Sequence, residues 1–221
     1  MTHSLADQSP APQIPGAPRK TAAFWDKAAE AYAASPIKDM DSYLHGMERT
    51  RQHLSPTDRV LEIGCGTATS ALRLAPHVAH YTATDVSPAM IAIGQDKART
   101  DGVDITFAVT EAHTAPGTGY NAILAYNLLH LVRDVPGTLA RLYDQTVPGG
   151  VLVTKTPCLG HNPLFSILIP AMRLIGKAPY VGVFRIKTLE AMIRTAGFEI
   201  LETGTFPRRP PNRFIIARKP G

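Results

Sequence analysis

The chain has 221 residues, 44% of them hydrophobic and 19% charged, enough apolar material to bury a core as one domain. Lys and Arg number 23 against 18 acids, a net charge of +5, but the cations are scattered or sit near the ends (Arg19, Lys20, Arg208, Arg209, Arg213, Arg218, Lys219). They lack the aromatic interleaving of a nucleic-acid surface, so no nucleic-acid partner is expected. Two cysteines, Cys65 and Cys158, cannot build a disulfide framework, and eight histidines without close pairing give no zinc spacing. A reducing, cytoplasmic location and no metal are the expectation.

Residues 1–20, MTHSLADQSPAPQIPGAPRK, are polar and Pro-rich and read as a flexible tail rather than a signal peptide. No run reaches the ~18 apolar residues of a membrane span. Residues 21–56 read as a helical segment with the spacing of a core stripe; its role as a lid comes only with the family resemblance below. In it Trp25, Ala28, Ala29 and Tyr32 share one helix face before Pro36, and a second helix runs through Tyr43, Met47 and Leu54. The core, 57–221, then alternates strand and helix: Val60–Ile63, Thr69–Ala75, Tyr81–Asp85, Pro88–Ala98, Ile105–Val109, Tyr120–Tyr126, Val135–Thr146, Val151–Lys155 and Thr188–Ala196. Such alternation predicts an α/β fold, a mostly parallel sheet with helices on both faces. The last two strands, Glu199–Thr205 and Arg213–Arg218, have no helix between them, so a C-terminal antiparallel hairpin closes a seven-stranded sheet.

Gly64 and Gly66 lie between the first strand and the next helix, where the chain must turn tightly and let a ligand approach the backbone. Asp85 ends the second strand, 19 positions after Gly66 (85 − 66), where a carboxylate accepts both ribose hydroxyls at the crevice of a parallel sheet. A nucleoside ligand follows. A dinucleotide fingerprint would place a third glycine where Thr69 stands, and Glu62, just before the turn, repels a pyrophosphate but suits an ammonium or sulfonium group.

In these features the sequence resembles class I S-adenosylmethionine-dependent methyltransferases, specifically the small-molecule group similar to the ubiquinone/menaquinone biosynthesis methyltransferases. The anchors are VLEIGCGTATSALRLA and TATDVSPAMIAIGQDKA, with AILAYNLLHLVRD, VPGGVLVTK and the final hairpin in support. The resemblance implies a Rossmann-like fold and the cofactor S-adenosyl-L-methionine. It places Glu62, Gly64, Cys65 and Gly66 around the methionine portion, Asp85 on the ribose, and Val86 and Met90 on the adenine ring. It also places Glu111 and Ala112 at the adenine edge, Asn127 on the floor beside the methyl group, and Tyr32 in the N-terminal lid. Family members more often carry Asp at 111, a third glycine at 68, where this chain has Ala68, and an acid at 121, where it has Asn121.

Methyl transfer from a sulfonium needs mainly alignment, and a general base is optional. His130 in NLLHL is the candidate base, with a packing histidine as the competing reading. Lys38, Asp39 and Tyr43, and Lys155, Cys158 and His161 after the fifth strand, lie near the expected crevice mouth. An apolar insertion, 157–186, carries Phe165, Leu168, Ile169 and Met172 at helical spacing, interrupted by Pro170, with Arg173, Lys177 and Arg185 as cations. Three roles fit it: a lid over an apolar acceptor, a cover burying its own face, or a weak membrane-surface contact through 164–186. The expected partner is a small, lipophilic methyl acceptor, and the expected state a monomer or homodimer. The rival functions are a nicotinamide-dependent oxidoreductase, a non-catalytic cofactor-binding protein and an RNA methyltransferase.

Overall fold

A computed structural model of the protein describes residues 17–174, 178–208 and 210–221. The first sixteen residues of the expected tail, and Lys177 and Arg209, lie outside the described residues. The strands are β1 (Arg59–Ile63), β2 (His80–Asp85), β3 (Thr106–Val109), β4 (Tyr120–Tyr126), β5 (Thr146–Pro157), β6 (Glu199–Arg208) and β7 (Pro211–Arg218). They form one seven-stranded sheet in the order β3-β2-β1-β4-β5-β7-β6. The first five are parallel; β7 runs antiparallel to both β5 and β6, so the C-terminal hairpin supplies one reversed strand inside the edge.

The helices are α1 (Ala17–Ala34), α2 (Met40–Arg51), α3 (Thr69–Leu74), α4 (Pro88–Asp101), α5 (Val135–Gln145), α6 (Pro163–Leu174) and α7 (Ile186–Thr195). They split the core in two. On one face Val60, Ala83, Leu124 and Val153 pack with Met47, Leu74, Ile91 and Phe214. On the other, Leu61, Ile63, Ile123 and Leu152 pack with Leu139, Leu142, Leu189 and Ile193. Consecutive strand residues therefore serve opposite faces, and both are buried, which is why the strands lack the apolar–polar alternation of a sheet with one wet face.

Four local expectations need correction. α1 begins at Ala17, inside the stretch read as tail, and α2 stops at Arg51, leaving Leu54 beyond it. α3 ends at Leu74 and continues as a 3-10 turn, Ala75–His77, because Pro76 has no amide to donate to a further helical turn. α6 runs through Pro170 instead of breaking there. No helix among the described residues is long and apolar enough to cross a membrane, yet α6 leaves Leu164, Leu168 and Leu174 exposed.

The sheet order reverses between β1, whose other neighbour is β2, and β4. Ligands of open α/β sheets bind outside the carboxyl ends of strands at such a switch point.

Candidate active site

The loop after β1 turns through three left-handed residues, Gly64 (φ 66°), Gly66 (φ 55°) and Ala68 (φ 62°). A Cβ at Gly64 would also meet Leu128 Cδ1 at 2.5 Å, so backbone conformation and space both demand glycine there. Ala68 holds the same conformation with a side chain, at a cost of about 1–2 kcal/mol. The loop is fastened by Cys65 N–H donating to the Thr84 carbonyl (2.9 Å) and Ala68 N–H donating to the Cys65 carbonyl (3.0 Å).

Asp85, at the end of β2, completes the cradle. One carboxylate oxygen accepts from the Gly66 amide and the other from the Ser87 amide, each at 2.9 Å. The Val86 amide also acts on this carboxylate, which keeps acceptor capacity for a ligand. Partial burial pushes the Asp85 carboxyl above its ordinary pKa, opposed by these amides. Glu62 is 1% exposed and accepts hydrogen bonds from Ser70 Oγ and Tyr81 OH, both at 2.8 Å. Burial raises its pKa to about 7, the two donors and nearby Asp85 acting in opposite senses. Cys65 is buried and its thiol pKa is pushed well up, so it contributes backbone rather than a nucleophile.

Two cavities open at this end of the sheet. The first, about 530 Å³, is lined by Gly64, Gly66, Asp85, Val86, Met90, Glu111, Ala112, Asn127 and Tyr32. The second, about 510 Å³, is lined by Glu62, Gly64, Cys65, Tyr32 and Asn127 together with residues of α2, β5 and β7. They share Tyr32, Gly64, Tyr126 and Asn127 as a common wall. The fold therefore gathers around one double crevice every residue that the sequence assigned to the cofactor.

His130 is the exception. It sits on the 3-10 turn Leu129–Leu131, lines neither cavity, and has its Nδ1 buried without a partner. Burial depresses its pKa to about 4. Its carbonyl accepts from Gly182 N–H at 2.6 Å, so this turn anchors the segment before α7 rather than presenting an imidazole to a reacting group. Cys158 is fully buried and its pKa is raised to about 11, and neither it nor His161 lines a cavity.

Several lining residues escaped the sequence reading. Thr110, His113 and Leu128 flank assigned positions and line the first cavity, with Arg133 and Tyr180 beyond them. The Arg133 guanidinium stacks over the Tyr180 ring at 4.9 Å, which brings the insertion to the cavity rim. Asn212, on β7, donates from Nδ2 to Asn127 Oδ1 (3.1 Å) and lines the second cavity. α1 is docked by Asp26, whose Oδ1 accepts from Ser87 Oγ (2.5 Å) and the Ala89 amide (3.1 Å) at the start of α4. A carboxylate at that helix N-terminus is electrostatically favoured. This contact carries Trp25 and Tyr32 to the cavities.

A model of the methyltransferase domain matches residues 30–203. The chain belongs to this family of methyltransferases. The reducing polyketide synthase Preu2 of Preussia isomera is 33% identical over 111 residues, 46% of this chain and 5% of the synthase. The ubiquinone biosynthesis O-methyltransferase of Methylocella silvestris is 29% identical over 140 residues, 62% of this chain and 55% of that enzyme. The chain thus spans only part of the length of these relatives. Among solved structures, magnesium protoporphyrin IX methyltransferase from Synechocystis, with SAH bound, superposes with a TM-score of 0.71 at 15% identity over 91% of this chain and 99% of that one. At that identity the likeness speaks for the fold.

The donor set fits S-adenosylmethionine, the cofactor that the sequence resemblance implies. The first cavity lies within the roughly 300–1,000 Å³ common for small-molecule sites. Asp85 keeps acceptor capacity, and the carboxyl groups of Glu62, Asp85 and Glu111 line the crevice, where a cationic ligand would favour their charged forms.

Proposed function

We propose that the first cavity holds the adenosine portion of S-adenosylmethionine and that the second receives its methionine end and, beyond it, the methyl acceptor. The observation that carries this reading is the common wall of Tyr32, Gly64, Tyr126 and Asn127, across which a donor in one cavity faces an acceptor in the other. Asp85 would bind the ribose hydroxyls, Val86 and Met90 the adenine face, Glu111 and Ala112 its edge, and Glu62 with the Gly64–Gly66 backbone the methionine end.

The bound cofactor supplies an already activated methyl group. What this chain contributes is alignment and exclusion of water, an effect worth several kcal/mol in well-oriented reactions. No metal is needed for that. Ala33, Pro36, Ile37 and Met47 give the second cavity an apolar wall, which favours an acceptor that is lipophilic in part. The likeness to a ubiquinone biosynthesis O-methyltransferase makes phenols and quinols the acceptors to screen first, with thiols beside them.

Calorimetric titration with S-adenosylmethionine, S-adenosylhomocysteine and NADH tests the reading. Binding of the first two alone is expected. Binding of NADH alone would overturn it in favour of an oxidoreductase.

A further inference from the structure

Strand β5 places Val151, Val153 and Lys155 on one face, because alternate residues share a side of a sheet. The two valines are buried in the cluster that contains Met47 and Phe214. The apolar pattern would continue with a third hydrophobe, yet the position at the crevice end holds a lysine. Its Nζ lies 3.5 Å from the Ser42 carbonyl and 5.3 Å from the centre of the Phe206 ring. Among the described residues it makes no ion pair. Asp39 attracts it electrostatically, but that carboxylate already accepts from the Ser42 amide at 3.0 Å as the N-cap of α2. Glu62, the other acid of this cavity, is engaged by Ser70 and Tyr81.

A partly buried ammonium with three donors and one long hydrogen bond is an incomplete arrangement. Its surroundings repeat that incompleteness. Asn212 lines the same cavity and leaves its Oδ1, an acceptor, buried without a partner while its Nδ2 donates to Asn127 Oδ1, so that oxygen calls for a ligand donor such as a hydroxyl. Lys38 adds a second cation to the lining, and Ile37 and Met47 an apolar wall. The cavity is therefore amphiphilic, with its cationic and amide groups beside apolar side chains.

We propose that Lys155 anchors a carboxylate carried by the methyl acceptor, with the Asn212 oxygen beside it free to accept from a hydroxyl of the same molecule. The acceptor is then an amphiphilic acid, its apolar body against Ile37 and Met47 and its acceptor atom directed to the common wall. This rests on the assignment of the second cavity to the acceptor. Lys155 acts as a specificity residue, and the reaction itself requires no proton from it.

The experiment uses the full chain saturated with S-adenosylhomocysteine and measures direct binding of matched probes: 3,4-dihydroxybenzoate against 3,4-dihydroxybenzamide, and octanoate against octanamide. The wild type is expected to prefer an acid over its amide by about tenfold or more, as a charge-assisted hydrogen bond allows. Lys155→Met should erase the preference and Lys155→Arg restore part of it, with S-adenosylhomocysteine affinity changed less than about twofold in both. Equal binding of acid and amide by the wild type, or binding of neither, overturns the proposal. A large loss of S-adenosylhomocysteine affinity in Lys155→Met also overturns it, by assigning the lysine to the cofactor's own carboxylate. If the wild type fails to bind S-adenosylhomocysteine at all, the broader assignment of the cavities fails instead, and the two failures are told apart. Thermal melting of the variants separates misfolding from lost contacts.

Discussion

Replacing Asp85 by alanine tests the donor site most directly. Its carboxylate accepts from Gly66 N–H and Ser87 N–H, each at 2.9 Å, and keeps acceptor capacity for ribose hydroxyls. Two ribose hydroxyls donating to a carboxylate contribute about 1.5 kcal/mol each at the lower end of charge-assisted bonds, about 3 kcal/mol together. The dissociation constant of S-adenosylhomocysteine should therefore rise by about two orders of magnitude. Alanine also strips the two amides of their acceptor, so part of any loss could come from a loosened loop. A double-mutant cycle removes that ambiguity: S-adenosylhomocysteine and its 2′-deoxy analogue are titrated by calorimetry into wild type and Asp85→Ala. Direct contact predicts a coupling of about 1 kcal/mol or more. A coupling near zero, with affinity still reduced, would show that Asp85 only braces the loop and would refute the ribose assignment.

Gly64→Ala forces a Cβ to 2.5 Å from Leu128 Cδ1 at φ 66°. A loss of about 2–3 kcal/mol is expected, read as a fall in melting temperature of about 5–10 °C together with weakened cofactor binding. A fall no larger than the backbone strain at φ 66° would show that Leu128 yields freely, and an unchanged melting point would refute the strain as well. Glu62 has a folded-state pKa of about 7, raised from 4.5 by burial. The stability it contributes is thus fully present below about pH 4.5 and is lost as the pH rises through about 7. A ligand ammonium beside it favours the charged carboxylate, so cofactor binding should release protons near pH 6.5 and tighten as the pH rises through 7. Calorimetry in two buffers of different ionisation enthalpy measures the release, and Glu62→Gln should abolish it. Asp26→Ala removes the acceptor of Ser87 Oγ and the Ala89 amide and should cost about 1 kcal/mol. Amide exchange should accelerate across α1, with weaker cofactor binding because Trp25 and Tyr32 line the cavity; unchanged exchange in α1 would assign its docking to apolar contacts alone.

What the sequence made legible was local. Strands β1 and β4 announce themselves as short apolar runs, β2 by Tyr81 and Ala83 at alternate positions, and α5 and α7 as helical stripes, because one pattern repeats within one element. Gly64, Gly66 and Asp85 were readable because their roles follow from their place at strand ends, a place the alternation already defines. His130 was readable as chemistry but not as geometry: it follows β4 as a base might, and only the turn at Leu129–Leu131 shows it outside both cavities.

The hidden parts of the site are contacts between elements far apart in sequence, for which no periodicity exists. Asp26 bonds Ser87 across 61 positions, and Asn212 bonds Asn127 across 85. Neither residue type is unusual for a helix face or a hairpin strand, so neither invites notice until the sheet order sets β7 beside β5 and α1 docks on α4. Lys155 lies between these cases. Its place after Val151 and Val153 on a buried face could be read from alternation alone, since a cation that continues an apolar row must either emerge into solvent or meet a partner. The structure leaves that ammonium partly buried at the cavity wall, beside a capping aspartate already engaged and an amide with one unpaired atom. On the proposed assignment the first cavity serves the adenosine of the methyl donor. The charge pattern of the second cavity is therefore where this chain's choice of acceptor has to be decided.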